Sequence, residues 1–361
     1  MRFMKNRHLV LPSILIFLLC LTLGAAALPR RHKVIVPSTA DLVFESLKPV
    51  IFQIKSSTRS DAAKTSYGTG FVIGSDGLVL TNYHVVSDSV IQPDRYRLYL
   101  IDGYESYSAK ILKFDLIHDL ALLKVSRTFA KSLPLATELP PQGETVFSLG
   151  MPKDLNMSIL QGIYNNVVGY GAVTLLHMTS SLNGGMSGGP TVNKKGELIG
   201  VNVSHHVSGE NISFAVPLEF VKAFVKEVPT LPEKIEKYYW EAELSKQLKT
   251  LQALSANELR EALKTQKTFE TWKVPGWPTH LRCWADDVST NKDQYMQVTQ
   301  SCESFSDIYI SQDMRSRAYQ IRMTNFERHD IGTLAFYKAV DQRWVQPLGP
   351  QAVFVNDEGM N

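Results

Sequence analysis

From about residue 40 to residue 228 the apolar positions fall in short runs, mostly bounded by Gly, Pro, Asp or Asn. That punctuation belongs to strands and tight turns and not to long amphipathic helices. The pattern predicts strands at 50–55, 70–73, 78–81, 95–101, 108–114 and 120–125, with Ser75-Asp76-Gly77 as a hairpin turn. Pro134, Pro140, Pro141 and Gly143 interrupt the series. A second series follows at 146–150, 159–168, 172–178, 190–193, 198–203 and 213–216. A short helix at 40–47 precedes the first set, one at 217–228 follows the second, and polar residues 59–66 read as a loop.

The period then changes. Residues 232–250 and 255–269 are charged and helical in spacing, with Ser255-Ala256-Asn257-Glu258 as a capping box, which predicts a helical connector over 229–270. Beyond Val274-Pro275-Gly276-Trp277-Pro278 the runs alternate again, at 281–284, 295–299, 308–311, 318–324 and 333–340. They predict a small β-rich domain of no recognised family within 271–361, independent of what precedes it.

At the other end, Arg2, Lys5 and Arg7 precede an apolar stretch over 9–23 and the small residues Gly24-Ala25-Ala26-Ala27. This is the layout of a secretory signal over 1–27, cut after Ala27. The alternative is a retained anchor, because 9–28 is about long enough to span a bilayer. Cys20 follows Leu19 and makes no lipoprotein site. Export would leave Cys283 and Cys302 as an even pair, expected to form one disulfide within a polar-connected hairpin. Their spacing is unlike a metal site, and no metal or cofactor is expected. With 38 Lys and Arg against 35 Asp and Glu the charge is +3. That is too small, without a basic stripe, to suggest a nucleic-acid partner.

Candidate chemistry centres on Asn183-Gly184-Gly185-Met186-Ser187-Gly188-Gly189-Pro190. One serine among glycines leaves its hydroxyl unshielded. It also lets the backbone N–H groups of Gly185 and Ser187 point into one space, as an oxyanion hole needs. A serine is a weak nucleophile without a base, and the base needs an orienting group. His84 stands at the end of the run Leu80-Thr81-Asn82-Tyr83-His84, and Asp119 stands just before Leu120-Ala121-Leu122-Leu123. The chain order His, Asp, Ser is that of chymotrypsin-type double barrels. These stretches, with Gly68-Thr69-Gly70-Phe71-Val72-Ile73, residues 143–152 and residues 212–217, resemble the trypsin-like serine peptidases of the HtrA (Deg) type over about 41–228. Departures are Tyr83, where that family carries a polar residue, and Met186, where it carries asparagine.

The resemblance implies a mainly β fold, a double six-stranded β-barrel of chymotrypsin type over 35–228. It implies His84, Asp119 and Ser187 as a catalytic triad in the cleft between barrels, acting on protein or peptide substrates. It also implies that Ser181, Leu182 and Asn202 line the primary pocket. No carboxylate stands at Ser181, which argues against a preference for arginine or lysine. No histidine stands at Asn202, and His205 and His206 fall in an expected loop, so a small or medium apolar pocket is the default. Three function classes follow: an exported serine endopeptidase, a protease-fold binding protein with little turnover, and a protein whose C-terminal domain does the main work. The family commonly binds substrate C-termini through PDZ domains. No apolar-glycine carboxylate loop of that kind stands after residue 230. An isolated 230–361 fragment is therefore expected not to select peptides by a free hydrophobic C-terminus. Tight binding of such peptides in a fluorescence-polarisation titration would overturn this expectation.

Overall fold

The computed structural model describes residues 37–344 except 59–63, 153–154, 171–172, 204–210, 231–238, 265, 270–271, 276–280, 288–294, 305–307, 312–313, 317–319 and 329–330. The expected signal segment and the loop histidines His205 and His206 lie outside the described residues. Helix α1 (Thr39–Leu47) opens on Ser38, whose side chain and the Asp41 carboxylate cap each other's backbone N–H groups. Six antiparallel strands then close into a barrel: β1 (Ile51–Thr58), β2 (Lys64–Gly74), β3 (Leu78–Thr81), β4 (Tyr96–Asp102), β5 (Glu105–Asp115) and β6 (Leu120–Val125), in the order β1-β2-β3-β6-β5-β4. Helix α2 (Tyr83–Ile91) interrupts the series between β3 and β4. A second barrel repeats the plan with β7 (Thr145–Gly150), β8 (Ser158–Tyr170), β9 (Val173–Met178), β10 (Pro190–Val192), β11 (Leu198–Val203) and β12 (Ser213–Pro217), in the order β10-β11-β12-β9-β8-β7. The fold class read from the sequence is therefore the observed one.

Closure leaves neither barrel an open edge. Each is filled by the inward residues of its strands, Phe71, Leu80, Leu100 and Leu123 in the first, Leu149, Leu176, Val201 and Val216 in the second, all essentially buried. The crossing segment is pinned to both barrels. The Leu133 N–H donates to the Val72 carbonyl, and the Leu198 N–H donates to the Pro134 carbonyl. The prolines thus mark a fixed strap between barrels.

Helix α3 (Leu218–Val225) packs Leu218 and Val221 under the second barrel. Helix α4 (Tyr239–Lys264) is one continuous element of 26 residues. It does not restart at Ser255 as the capping box suggested, and 266–269 is strand, not helix. A run of helix formers through Leu254 and Ala256 continues the backbone, and the turn-to-turn bonds outweigh one local cap. The helix docks on the first barrel. The Gln247 side chain accepts from the Leu116 N–H and donates to the Phe114 carbonyl, at 2.8 and 2.9 Å. Trp240 is buried against Phe114, which in turn packs on Tyr83, with ring centroids 5.8 and 5.1 Å apart.

The remaining elements are β13 (Gln266–Phe269), β14 (Trp272–Pro275), β15 (Leu281–Asp287), β16 (Tyr295–Ser304), β17 (Ile308–Tyr309), β18 (Arg315–Ser316), β19 (Gln320–Arg328) and helix α5 (Thr333–Trp344). β15, β16 and β19 form one antiparallel sheet, and β13-β14 and β17-β18 are two-stranded. Residues 333–340, read as a strand from their alternation, are helical. Phe336 and Val340 are half-buried one turn apart while Leu334 and Tyr337 face solvent, a spacing that a helix satisfies and a strand does not. Nor does this half stand free of the barrels. Tyr83 donates its hydroxyl to the Ile310 carbonyl, and Ile308 belongs to the barrels' apolar core.

Cys283 and Cys302 face each other across β15 and β16 and are bonded. The bridge closes a segment of 19 residues' separation, for which chain entropy gives about 3 kcal/mol. Reducing it should speed amide exchange in β15, β16 and β19 well before it does so in the barrels. Hydrogen-exchange mass spectrometry of the oxidised and reduced protein checks this. Equal exchange in the two states would show the bridge to be without effect.

Candidate active site

Helix α2 begins two residues after β3 ends, so His84 stands in the first turn of a helix and not on a strand as the sequence suggested. Its N-cap position is Asn82, whose side chain makes no local cap. The cap comes from the entrance of β6, the strand paired with β3. The His84 N–H donates to Asp119 Oδ1 at 2.8 Å, and His84 Nδ1 donates to Asp119 Oδ2 at 2.7 Å. One carboxylate thus holds both the backbone and the ring of the same residue. A carboxylate at a helix N-terminus is favoured by the unpaired N–H groups and by the helix dipole. With Nδ1 carrying the proton, Nε2 of the neutral ring is left as the acceptor.

Asp119 itself has φ 54°, a left-handed conformation that aspartate tolerates better than most residues. The turn that delivers it is built by Asp115, which accepts from the Ile117 and His118 N–H groups at 2.9 and 3.0 Å and from His118 Nδ1 at 2.6 Å. The His118 ring stacks on Phe220 of α3 at 4.2 Å. The Asp119 carbonyl then accepts from Asn82 Nδ2 and from the Tyr83 N–H, at 2.8 and 3.1 Å, which closes the β6 entrance onto the start of α2.

Ser187 reaches the same place from the second barrel. Its carbonyl accepts from the Thr69 N–H of β2 at 2.8 Å, and it is 3% exposed against 9% for His84. Gly68 marks how close the two approach: a Cβ there would meet Val85, the residue after His84, at 2.5 Å and the Ser187 carbonyl at 3.0 Å. Thr69 is the tie between barrels. Its hydroxyl donates to the Gly185 carbonyl at 2.7 Å and accepts from the Met151 N–H at 2.8 Å. The Met186 N–H donates to the Asn183 carbonyl, so the peptide between Gly185 and Met186 is held at both ends. The Gly188 N–H donates to the Asn202 carbonyl. The N–H groups of Gly185 and Ser187 alternate along the loop with those of Met186 and Gly188. The departure at Met186 is accommodated because its side chain is buried behind the loop.

Residues 68–201 match the family model described as the trypsin-like peptidase domain. The chain carries a trypsin-like peptidase domain. The domain is 35% identical over 170 residues to the cattle protein "Serine protease HTRA2, mitochondrial", covering 44% of this chain and 36% of that one. It is 32% identical over 205 residues to zebrafish "Serine protease HTRA1A", covering 52% of this chain and 40% of that one. The chain therefore spans well under half the length of these relatives. Among solved structures it is similar to the serine endoprotease from Yersinia pestis, at 26% identity and a TM-score of 0.46, over 53% of this chain and 66% of that one.

Of the three pocket residues expected in the peptidase domain, Ser181 is exposed and donates to Asn211 Oδ1 at 3.2 Å, and Leu182 is half-buried against the core. Asn202 turns inward. It is fully buried, accepts from the Thr191 hydroxyl, and donates to the Leu149 and Met186 carbonyls at 3.0 and 3.4 Å. Its side chain braces the floor of the Ser187 loop and presents nothing to a pocket. The four partners of Thr69 are invisible in sequence because three of them are backbone atoms of the second barrel. The only sequence signal was a polar residue with small neighbours inside an apolar strand.

Two expectations arise from this geometry. At Gly188, φ is +80° and a Cβ would stand 2.3 Å from both the Thr69 carbonyl and the Thr81 hydroxyl. Gly188→Ala should therefore displace the Ser187 loop and lower stability by roughly 2 kcal/mol or more, read as a fall in melting temperature. Near-wild-type melting would contradict this packing. At Asp115 burial raises the carboxyl pKa, but the bonds from His118 and from the Ile117 N–H outweigh it and leave the pKa below its ordinary value. A depressed carboxylate adds stability above its unfolded pKa of about 3.9, and that stability is lost as pH falls through the folded value. Asp115→Asn should be less stable than wild type at neutral pH, with the gap closing in acid below about pH 4. A gap independent of pH would rule out the stabilised Asp115 carboxylate.

Proposed function

We propose that the protein is an exported serine endopeptidase, with Ser187 as nucleophile, His84 as base and then acid, and Asp119 as the group that fixes the histidine's tautomer. The observation that carries this is the pair of hydrogen bonds that the backbone and ring of His84 donate to Asp119, in a junction that the Ser187 loop also enters through Thr69. In the reaction Ser187 Oγ gives its proton to His84 Nε2 and attacks the substrate carbonyl carbon. The negative charge on the carbonyl oxygen is taken by the Gly185 and Ser187 N–H groups. His84 returns the proton to the leaving amine as the C–N bond breaks, which leaves an acyl group on Ser187. Water, deprotonated by the same ring, then releases the acid and regenerates the hydroxyl.

Export is supported by the charged, apolar and small-residue order of residues 1–27 and by the Cys283–Cys302 bridge. Among the described residues no helix is long and apolar enough to cross a membrane. Substrates are extended segments of other proteins, and an apolar side chain at the Ser181 and Leu182 surface fits the absence of a charge there.

Ser187→Ala should reduce cleavage of casein or a quenched peptide by about 10⁴-fold or more, with the fold intact by circular dichroism. A fluorophosphonate probe should label the wild-type serine and not the variant. A wild-type chain that folds but never labels would favour the reading as a binding protein with the protease fold.

A further inference from the structure

Tyr309, in β17 of the C-terminal half, lies edge-on to the His84 imidazole, with ring centroids 5.8 Å apart and planes at 70°. Its ring is half-buried, while its neighbours Ile308 and Ile310 are buried. Ile308 is part of the apolar core that the barrels share. The Ile310 carbonyl accepts from the Tyr83 hydroxyl at 2.9 Å. Burial, and then the charge of Asp119, hold that hydroxyl well above its ordinary pKa, so it remains a donor at any working pH. The hairpin is closed on itself as well. The Ile310 and Ser311 N–H groups both donate to the Met314 carbonyl, at 3.1 and 2.8 Å, and β17 pairs with β18.

A segment held by two buried isoleucines, a buried hydrogen bond and its own turn is part of the wall and not a strap that lifts away. Two rings at this angle make an apolar corner, one side of which is the group that hands a proton to the leaving amine. The substrate residues that flank the scissile bond must pass beside that group. The Tyr309 ring bounds the space beside the imidazole on one side. A side chain entering there meets aromatic surface, which favours a compact aliphatic group over a large aromatic one. The departure at Tyr83 has its reason here: a shorter polar residue at that position would not reach the Ile310 carbonyl.

We propose that Tyr309 is a specificity-determining residue of the peptidase, supplied to the cleft by the C-terminal half, and that Tyr83 is its positioning residue through the Ile310 carbonyl. This rests on the peptidase reading above. The experiment uses the full-length oxidised protein and two quenched-peptide series. One is varied at the second residue before the cleaved bond and one at the first residue after it, each with alanine, valine, leucine, phenylalanine or tryptophan. Labelling of wild type by a fluorophosphonate is read first, since failure there overturns the peptidase reading itself. Given labelling, wild type should prefer alanine or valine to tryptophan in at least one series. Tyr309→Ala should shrink that kcat/KM ratio by about tenfold or more, the size expected when a pocket wall is removed. Tyr309→Phe, which keeps the ring, should retain the ratio. Tyr83→Phe, which loses only the hydroxyl, should shift it in the same direction as Tyr309→Ala but less. If Tyr309→Ala does not fold, the Tyr309→Phe and Tyr83→Phe pair decides: an unchanged ratio in Tyr83→Phe overturns the proposal. It is equally overturned if Tyr309→Ala leaves the order of peptides as in wild type. A rise in cleavage of every peptide by one common factor in that variant would identify Tyr309 as a blocking group and also overturn it.

Discussion

The arrangement depends on one carboxylate. Asp119 gives one oxygen to the first turn of α2 and the other to the imidazole on that turn, so helix position and ring orientation cannot vary separately. The left-handed backbone at Asp119 is sustained by the Asp115 turn before it and by the Asn82 and Tyr83 donors that grip its carbonyl. A charge-assisted bond of this kind is roughly twice as strong as a neutral one. The desolvation it costs is offset because the carboxylate meets helix N–H groups and not an apolar wall. The orientation of the His84 ring therefore follows from how the helix is capped.

The second constraint is how two separately closed barrels agree on one position. Apolar packing brings them together but is not directional, and the sharing is done by backbone atoms around Thr69. Its N–H, hydroxyl and carbonyl meet Ser187, Gly185, Met151 and Thr81 in turn. Asn202 holds the same loop from beneath, through partners within the second barrel. Both side chains are short and wholly buried, and leaving any of their partners unpaired would cost about 1–3 kcal/mol. They set geometry to a fraction of an ångström where the surrounding Leu and Val residues set only proximity.

The barrels were legible in the sequence because their apolar runs are short and each turn carries its own residue chemistry. The period and the punctuation point to the same elements. His84, Asp119 and Ser187 were legible through their local company. Pairing partners were not, since Thr69 and Asn202 act through contacts remote along the chain. The C-terminal half was harder for a related reason. A short alternating run fits a strand or a helix face, so residues 333–340 read as strand although Phe336 and Val340 lie on one side of a helix. The capping box at Ser255 misled because a local signal was read without the uninterrupted helix formers around it. Tyr83 stood out only as a departure. Its partner, the Ile310 carbonyl, carries no side-chain signature at all.

That last pair has a consequence for how the protein is made. Tyr83 and Ile310 are 227 positions apart. At ribosomal speeds of 5–20 residues per second, roughly 10–45 s pass between the emergence of one and the other. Both barrels have left the ribosome before Tyr309 exists. The nascent chain thus passes through an interval in which the two barrels can close around His84 while the cleft still lacks its outer wall, and the finished binding surface is a late product of synthesis.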